Sequence, residues 1–223
     1  MYRNYFNHAP QGEMRSFYLS KLAPLGTIKT YKKNDHIDYC KNAKLSIIIS
    51  GKVKVCIYTK SGLEKILFFL GPGEIYGEES LFYPHIDITP VPLMDTTISF
   101  ISDEALKQHL INNPMDHRYL FQSILRKYEI SLFQMGDALK KSPKAQISST
   151  LYRMAIQQYD LALELPATLA INITHEILAN LIGCSRVTVT RVLKELRNDG
   201  VLEVLNKQII IKDLFKLKLL SEL

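Results

Sequence analysis

The chain has little cysteine, no long apolar run and no cluster of metal-ligand residue types. Its three cysteines, Cys40, Cys56 and Cys184, are odd in number and none falls in a CxxC spacing. Neither a disulfide framework nor a cysteine-ligated zinc or iron–sulfur site is therefore expected, and a reducing compartment fits best. No apolar stretch approaches the roughly 18 residues of a membrane helix. Residues 1–11 are polar and aromatic, unlike a signal peptide, so a soluble, cytoplasmic protein without a membrane partner is expected. The six histidines, His8, His36, His85, His109, His117 and His175, include no HxH pair. Metal-dependent chemistry needs His and carboxylate ligands converging from adjacent strands, so an enzyme is not the expected reading. One further absence is local: residues 66–106 contain no Lys or Arg.

What is present is enough apolar material to fill real cores. The 223 residues are 47% hydrophobic with a formal net charge of +6, which permits a nucleic-acid partner without requiring one. The distribution says more, since residues 183–218 carry eight Lys or Arg against four Asp or Glu.

The most informative stretch is 173–197, which reads as two short helices joined by a tight turn. Thr174 is placed to cap the first, Glu176 suits its positive end, and Ile177, Leu178, Leu181 and Ile182 form an apolar face. Gly183 breaks it. Ser185 can cap the second helix, where Val189, Val192, Leu193 and Leu196 recur at helical spacing. Arg186, Val187, Thr190, Arg191 and Lys194 are left facing outward, the equipment of a helix that enters a DNA major groove. An ordinary helical hairpin with a solvated basic face would carry similar residues. What favours DNA is the continuation: a helix stop at Gly200, then short apolar strands at 201–205 and 208–211 around Asn206-Lys207, the pattern of a winged helix.

Residues 1–25 read as a polar lead with a short helix around 13–21 and no evident chemistry. Residues 26–100 then give short β-rich runs, 27–31, 45–50, 52–59, 65–70 and 96–101, separated by Gly51, Ser61-Gly62 and Gly71-Pro72-Gly73. This predicts an antiparallel sandwich or small jelly roll, with one face wet where Lys52-Val53-Lys54-Val55 alternates. Residues 82–92, aromatic and proline-rich, read as a loop, either lining a pocket for an apolar ligand or packed over the roll. Asn113-Pro114 opens a long helix on which Phe121, Leu125, Tyr128, Leu132, Met135 and Leu139 follow steps of 4, 3, 4, 3 and 4, a coiled-coil seam. Packing on the chain's own roll is the competing use, which Leu120 and Ile124 also serve. One face on the roll and another on a second copy satisfies both sets, and a homodimer is expected. Ser142-Pro143 ends the helix and marks a hinge. Residues 144–159 form a further amphipathic helix, and 169–173 a short strand.

The order of parts resembles the Crp/Fnr family of bacterial transcription regulators. The residues that carry the resemblance are SGKVKV at 50–55, GPGEIYGEESLF at 71–82 and IGCSRVTVTRVLKEL at 182–196. The resemblance implies an α+β chain: a cyclic-nucleotide-binding-like β-roll that senses an effector (1–112), a dimerisation helix (113–142) and a winged-helix DNA-binding domain (143–223). It implies a homodimer on double-stranded DNA, with half-sites about 10–10.5 bp apart or a multiple, and RNA polymerase as a further partner. It also places Arg186 and Arg191 against bases or phosphates, and Ser185, Thr188 and Thr190 where hydroxyls bond the backbone. Val187 departs from the glutamate of many members, and valine cannot accept from cytosine N4, so a different half-site is expected.

For the effector, the resemblance implies a site around Gly77, Glu78, Glu79, Phe82, Tyr83 and Tyr128, with Gly-Glu on a ribose and a following arginine on a cyclic phosphate. No such arginine follows here. A cyclic phosphate would meet carboxylates without its charge-assisted partner, so the effector is expected not to be cyclic AMP. Arg126 or Lys127 on the long helix could substitute, though neither sits at the family's position. His85 alone does not argue for haem, and Cys40 and Cys56 do not match the cysteine cluster of iron–sulfur sensors. A constitutive regulator without a ligand remains the alternative, ahead of a metal-dependent jelly-roll enzyme.

Overall fold

The computed structural model describes residues 8–37, 43–78, 88–140, 142–158, 169–206 and 208–222. The chain divides into two compact units, Ala9–Ile130 and Ser131–Leu223.

The first unit opens with helix α1 (His8–Phe17), a π-turn (Tyr18–Leu22) and a 3-10 turn (Ala23–Leu25). Among the described residues seven strands follow: β1 (Thr27–Tyr31), β2 (Ala43–Ser50), β3 (Val53–Tyr58), β4 (Glu64–Leu70), β5 (Ile75–Tyr76), β6 (Thr89–Pro92) and β7 (Thr96–Ser102). They form two antiparallel sheets, ordered β1-β7-β2-β5 and β4-β3-β6. Tyr31, Ile48, Val53, Val55, Leu70, Tyr76, Ile98 and Phe100 from both sheets share one core. Period-two alternation sends Leu45 and Ile47 of β2 into a second core with Met14, Phe17, Tyr18, Leu22 and Leu106. Strands β2, β5 and β7 thereby serve two layers, as expected for a roll with helices against one sheet.

Strand β6 corrects the reading of 82–92 as loop throughout. Thr89–Pro92 pairs antiparallel with β3, Val55 opposite Pro90 and Val53 opposite Pro92, at the edge of its sheet. Two prolines are tolerated because alternate positions on an edge strand turn their missing N–H away from the neighbour. Both prolines are buried. A second difference is α2 (Asp103–Asn112), unannounced by the strand pattern before it, where Ser102 caps by accepting from Ala105 N at 3.1 Å and Asp103 and Glu104 occupy the first turn.

A 3-10 turn (Pro114–Asp116) leads into α3 (His117–Ala138). Leu120, Ser123 and Ile130 are buried, whereas Phe121, Leu125, Tyr128, Leu132 and Met135 are 46–67% exposed. Leu139 lies just beyond the last helical residue, 86% exposed. The helix thus has a buried stripe and a separate bare apolar one. The division between the units falls within α3, after Ile130.

The second unit continues with α4 (Pro143–Gln158), β8 (Leu169–Asn172), α5 (His175–Ile182), α6 (Arg186–Asn198), β9 (Leu202–Leu205), β10 (Gln208–Ile211) and α7 (Leu214–Ser221). The strands form one antiparallel sheet, β8-β10-β9. Ile147, Leu151 and Ala155 of α4, Leu178 of α5, Val189 and Leu196 of α6, Ile209 and Leu217 are all buried. The closing helix α7, packed on α4, was not foreseen from sequence; Asp213 caps it, accepting from Lys216 N at 2.8 Å.

Candidate nucleic-acid interface

The turn between α5 and α6 is built as its residues dictate. Thr174 caps α5, accepting from Ile177 N at 3.2 Å, and Glu176 sits in the first turn. Gly183 ends the helix at φ 90°, a left-handed conformation that glycine adopts without strain. Ala179 O accepts from both Gly183 N (2.7 Å) and Cys184 N (3.1 Å), satisfying the helix end. Ser185 then caps α6, accepting from Thr188 N at 3.0 Å.

Val189, Val192, Leu193 and Leu196 bury one face of α6. Each such side chain contributes roughly 1.5–3 kcal/mol, enough to hold the helix's rotation fixed. Ser185, Arg186, Val187, Thr190, Arg191 and Lys194 are exposed together on the other side, Val187 at 78%, with Thr188 half-buried. The Thr190 hydroxyl donates to Arg186 O at 3.0 Å and lies 2.9 Å from His175 Nδ1. Arg191 pairs with Glu195 one turn on, at 2.7 Å. An exposed pair of this kind is worth only about 0–1 kcal/mol, so the guanidinium is held outward at little cost to releasing it.

His175 was missed as a contributor to this surface, since a histidine at a helix start carries no distinctive signal. It lines a concavity of about 440 Å³ with Ile173, Thr174, Glu176, Arg186 and Val204. The wing follows from β9 and β10, turning at Asn206, whose φ of 50° suits asparagine.

In the first unit the carboxylates around Gly77 are held in ion pairs. Glu74, 5% exposed, receives Gly71 N at 2.6 Å, Arg126 at 2.7 Å and Arg15 at 3.1 Å. Gly73, at φ 76°, admits α1 here: a Cβ would lie 2.5 Å from Arg15 Cβ. Glu78 is ion-paired with Lys127, which also donates to Ile75 O at 2.8 Å and sits over the Phe68 ring. Tyr18 is fully buried, and burial together with the Glu78 charge pushes its hydroxyl well above the usual range, keeping it a neutral phenol. The polar lead therefore holds Arg15 and Tyr18 close to this chemistry, against the expectation of none. Arg126 and Lys127, the substitutes named for a phosphate-binding arginine, are both committed to carboxylates. Gly77 lies beside them, Tyr128 is 58% exposed on α3, and Glu79, Phe82 and Tyr83 lie outside the described residues.

Among the described residues no group of three or more His, Cys, Asp or Glu is placed to hold a metal ion. No helix there is long and apolar enough to cross a membrane.

Two family profiles match the chain, a cyclic nucleotide-binding domain over residues 28–113 and a Crp-like helix-turn-helix domain over 145–220. The chain belongs to the Crp/Fnr family of transcription regulators. Its relatives include the cAMP-activated global transcriptional regulator CRP of Salmonella typhimurium, 28% identical over 173 residues, covering 77% of this chain and 81% of that protein. The CRP-like cAMP-activated global transcriptional regulator of Mycobacterium tuberculosis is 26% identical over 175 residues, 76% of each chain. Among solved structures, a CooA mutant from Carboxydothermus hydrogenoformans shares the fold with a TM-score of 0.76 at 20% identity, covering 91% of this chain and 90% of that one. This Crp/Fnr chain thus pairs the family's β-roll and long helix with its winged helix-turn-helix.

Proposed function

We propose that the chain is a sequence-specific regulator that binds a two-fold symmetric DNA operator as a homodimer, α6 of each copy entering a major groove. The observation that carries this reading is the face of α6, where Arg186, Val187, Thr190, Arg191 and Lys194 stand exposed on a helix whose opposite side is fully buried. Arg191 reads a base, its guanidinium matching guanine O6 and N7, and Arg186 is the second reader. Ser185, Thr188 and Thr190 bond the DNA backbone and Lys194 adds charge to it. Phe121, Leu125, Tyr128, Leu132, Met135 and Leu139 form the dimer seam. Residues 1–112 sense, 113–142 dimerise and 143–223 bind DNA, in the cytoplasm and with RNA polymerase as partner.

The effector is not a cyclic nucleotide. This reading is supported by the pairing of Lys127 with Glu78 and of Arg126 and Arg15 with Glu74, which engages these three cations with carboxylates. Those pairs also favour a second reading, a regulator that binds DNA constitutively. One experiment tests both: selection of bound duplexes from a random pool, with and without saturating cyclic AMP. A symmetric motif of unchanged affinity is expected in both arms. An asymmetric motif overturns the homodimer reading, a motif absent from both arms overturns the constitutive reading, and one that emerges only with cyclic AMP overturns the effector reading.

A further inference from the structure

The strongest unassigned feature is a buried charged triad in the second unit. Asp137, in the last turn of α3, is 6% exposed and accepts from Ser149 Oγ at 2.5 Å. Arg153, whose side chain is 4% exposed, places Nη1 3.2 Å from its other oxygen. Ser149 and Arg153 lie on α4, where Ser148 and Thr150 are also buried, an unusually polar stripe for a core-facing helix. Two further ties flank the triad: Lys140 Nζ donates to Ser221 O at 2.5 Å and Gln146 Nε2 to Lys140 O at 3.1 Å.

We infer that Asp137 is a positioning residue that fixes the rotation of the end of α3 on α4, so that the dimer seam dictates where the two DNA-reading helices stand. The inference rests on the homodimer reading above. A buried ion pair adds little net stability over apolar residues of similar volume, because desolvation offsets its attraction. Its distinctive property is direction. Leucines in the same place would tolerate sliding, whereas a buried carboxylate that accepts from the Ser149 hydroxyl on one oxygen and faces the Arg153 guanidinium as an ion pair on the other favours one register. Met135 and Leu139, two residues to either side of Asp137, are bare on the seam. One turn of helix therefore carries both the contact to the second copy and the lock to the DNA-binding unit. The triad also spans Ser142-Pro143, which is bridged by Asp137, Ser149 and Arg153 and so is not a free pivot.

The test uses the full chain and duplexes carrying two copies of the selected half-site, with their separation changed one base pair at a time. Asp137→Leu with Arg153→Met removes both charges, avoiding an unpaired buried ion. The doubly substituted chain is expected to remain a dimer by sedimentation and to unfold close to the wild-type midpoint. Its affinity for the best spacing should fall about tenfold, while neighbouring spacings hold, flattening the profile; tenfold corresponds to about 1.4 kcal/mol. A profile superimposable on wild type overturns the inference. If the double substitution does not fold, Ser149→Ala, which removes only the hydroxyl donor, should flatten the profile less, and an unchanged profile overturns the inference equally. A wild-type chain that is monomeric or indifferent to spacing overturns the homodimer reading and this inference with it; a sharp wild-type optimum retained in the variants overturns this inference alone.

Discussion

At Val187 two methyl groups occupy the second position of α6, 78% exposed with no polar atom in the side chain. Replacing it with glutamate supplies an acceptor for cytosine N4. Val187→Glu should change preference at one half-site position by about 1–3 kcal/mol in favour of cytosine, read by anisotropy over the four bases at each position. An unchanged ranking would place Val187 away from the bases. Cys56 carries a pH effect: fully buried on β3, its thiol is pushed by burial from 9.0 up to about 12. Because the native value lies above the unfolded one, the associated stability is complete below 9.0 and lost as pH rises toward about 12. Denaturation midpoints should decline less steeply with alkaline pH in Cys56→Val than in wild type; equal slopes would contradict the assignment. At this scale, local chemistry was the readable part. Thr174 and Ser185 cap as their spacing predicts, because a cap and its helix are neighbours in sequence. Arg15 on Glu74 and Lys127 on Glu78 join residues 59 and 49 positions apart, and nothing local announces such a pairing.

At the scale of elements, strands bounded by glycines were legible, as were α5, α6 and the wing, since each has one strong period and a clear stop. Strand β6 was not, because prolines at alternate positions mimic a loop unless the strand is known to be an edge. Helix α7 escaped because LFKLKLL is apolar nearly all round and shows no single face. Helix α3 was read correctly in kind, and its bare stripe yields the element-scale prediction. Leu132 is 46% exposed in one copy, so Leu132→Glu should leave the single chain's fold intact. In the dimer it would set like charges against each other at a cost of several kcal/mol. Sedimentation equilibrium at micromolar concentration should then show a monomer with a native circular dichroism spectrum. A dimer of unchanged affinity would locate the interface elsewhere.

For the whole molecule, the order of roll, long helix and winged helix was visible from three motifs in sequence, and the described units agree with it. What sequence left open was control. Residues 66–106 contain no Lys or Arg, and in the structure Glu74 and Glu78 are paired with cations from α1 and α3. Whether α6 reads sequence for a paired molecule is decided by binding of wild type and Arg191→Ala to the selected operator and to a scrambled duplex across a salt series. Wild type should prefer the operator, and Arg191→Ala should lose about 1–3 kcal/mol on the operator while keeping most of its affinity for scrambled DNA. Full retention of sequence preference and salt dependence by Arg191→Ala would contradict it.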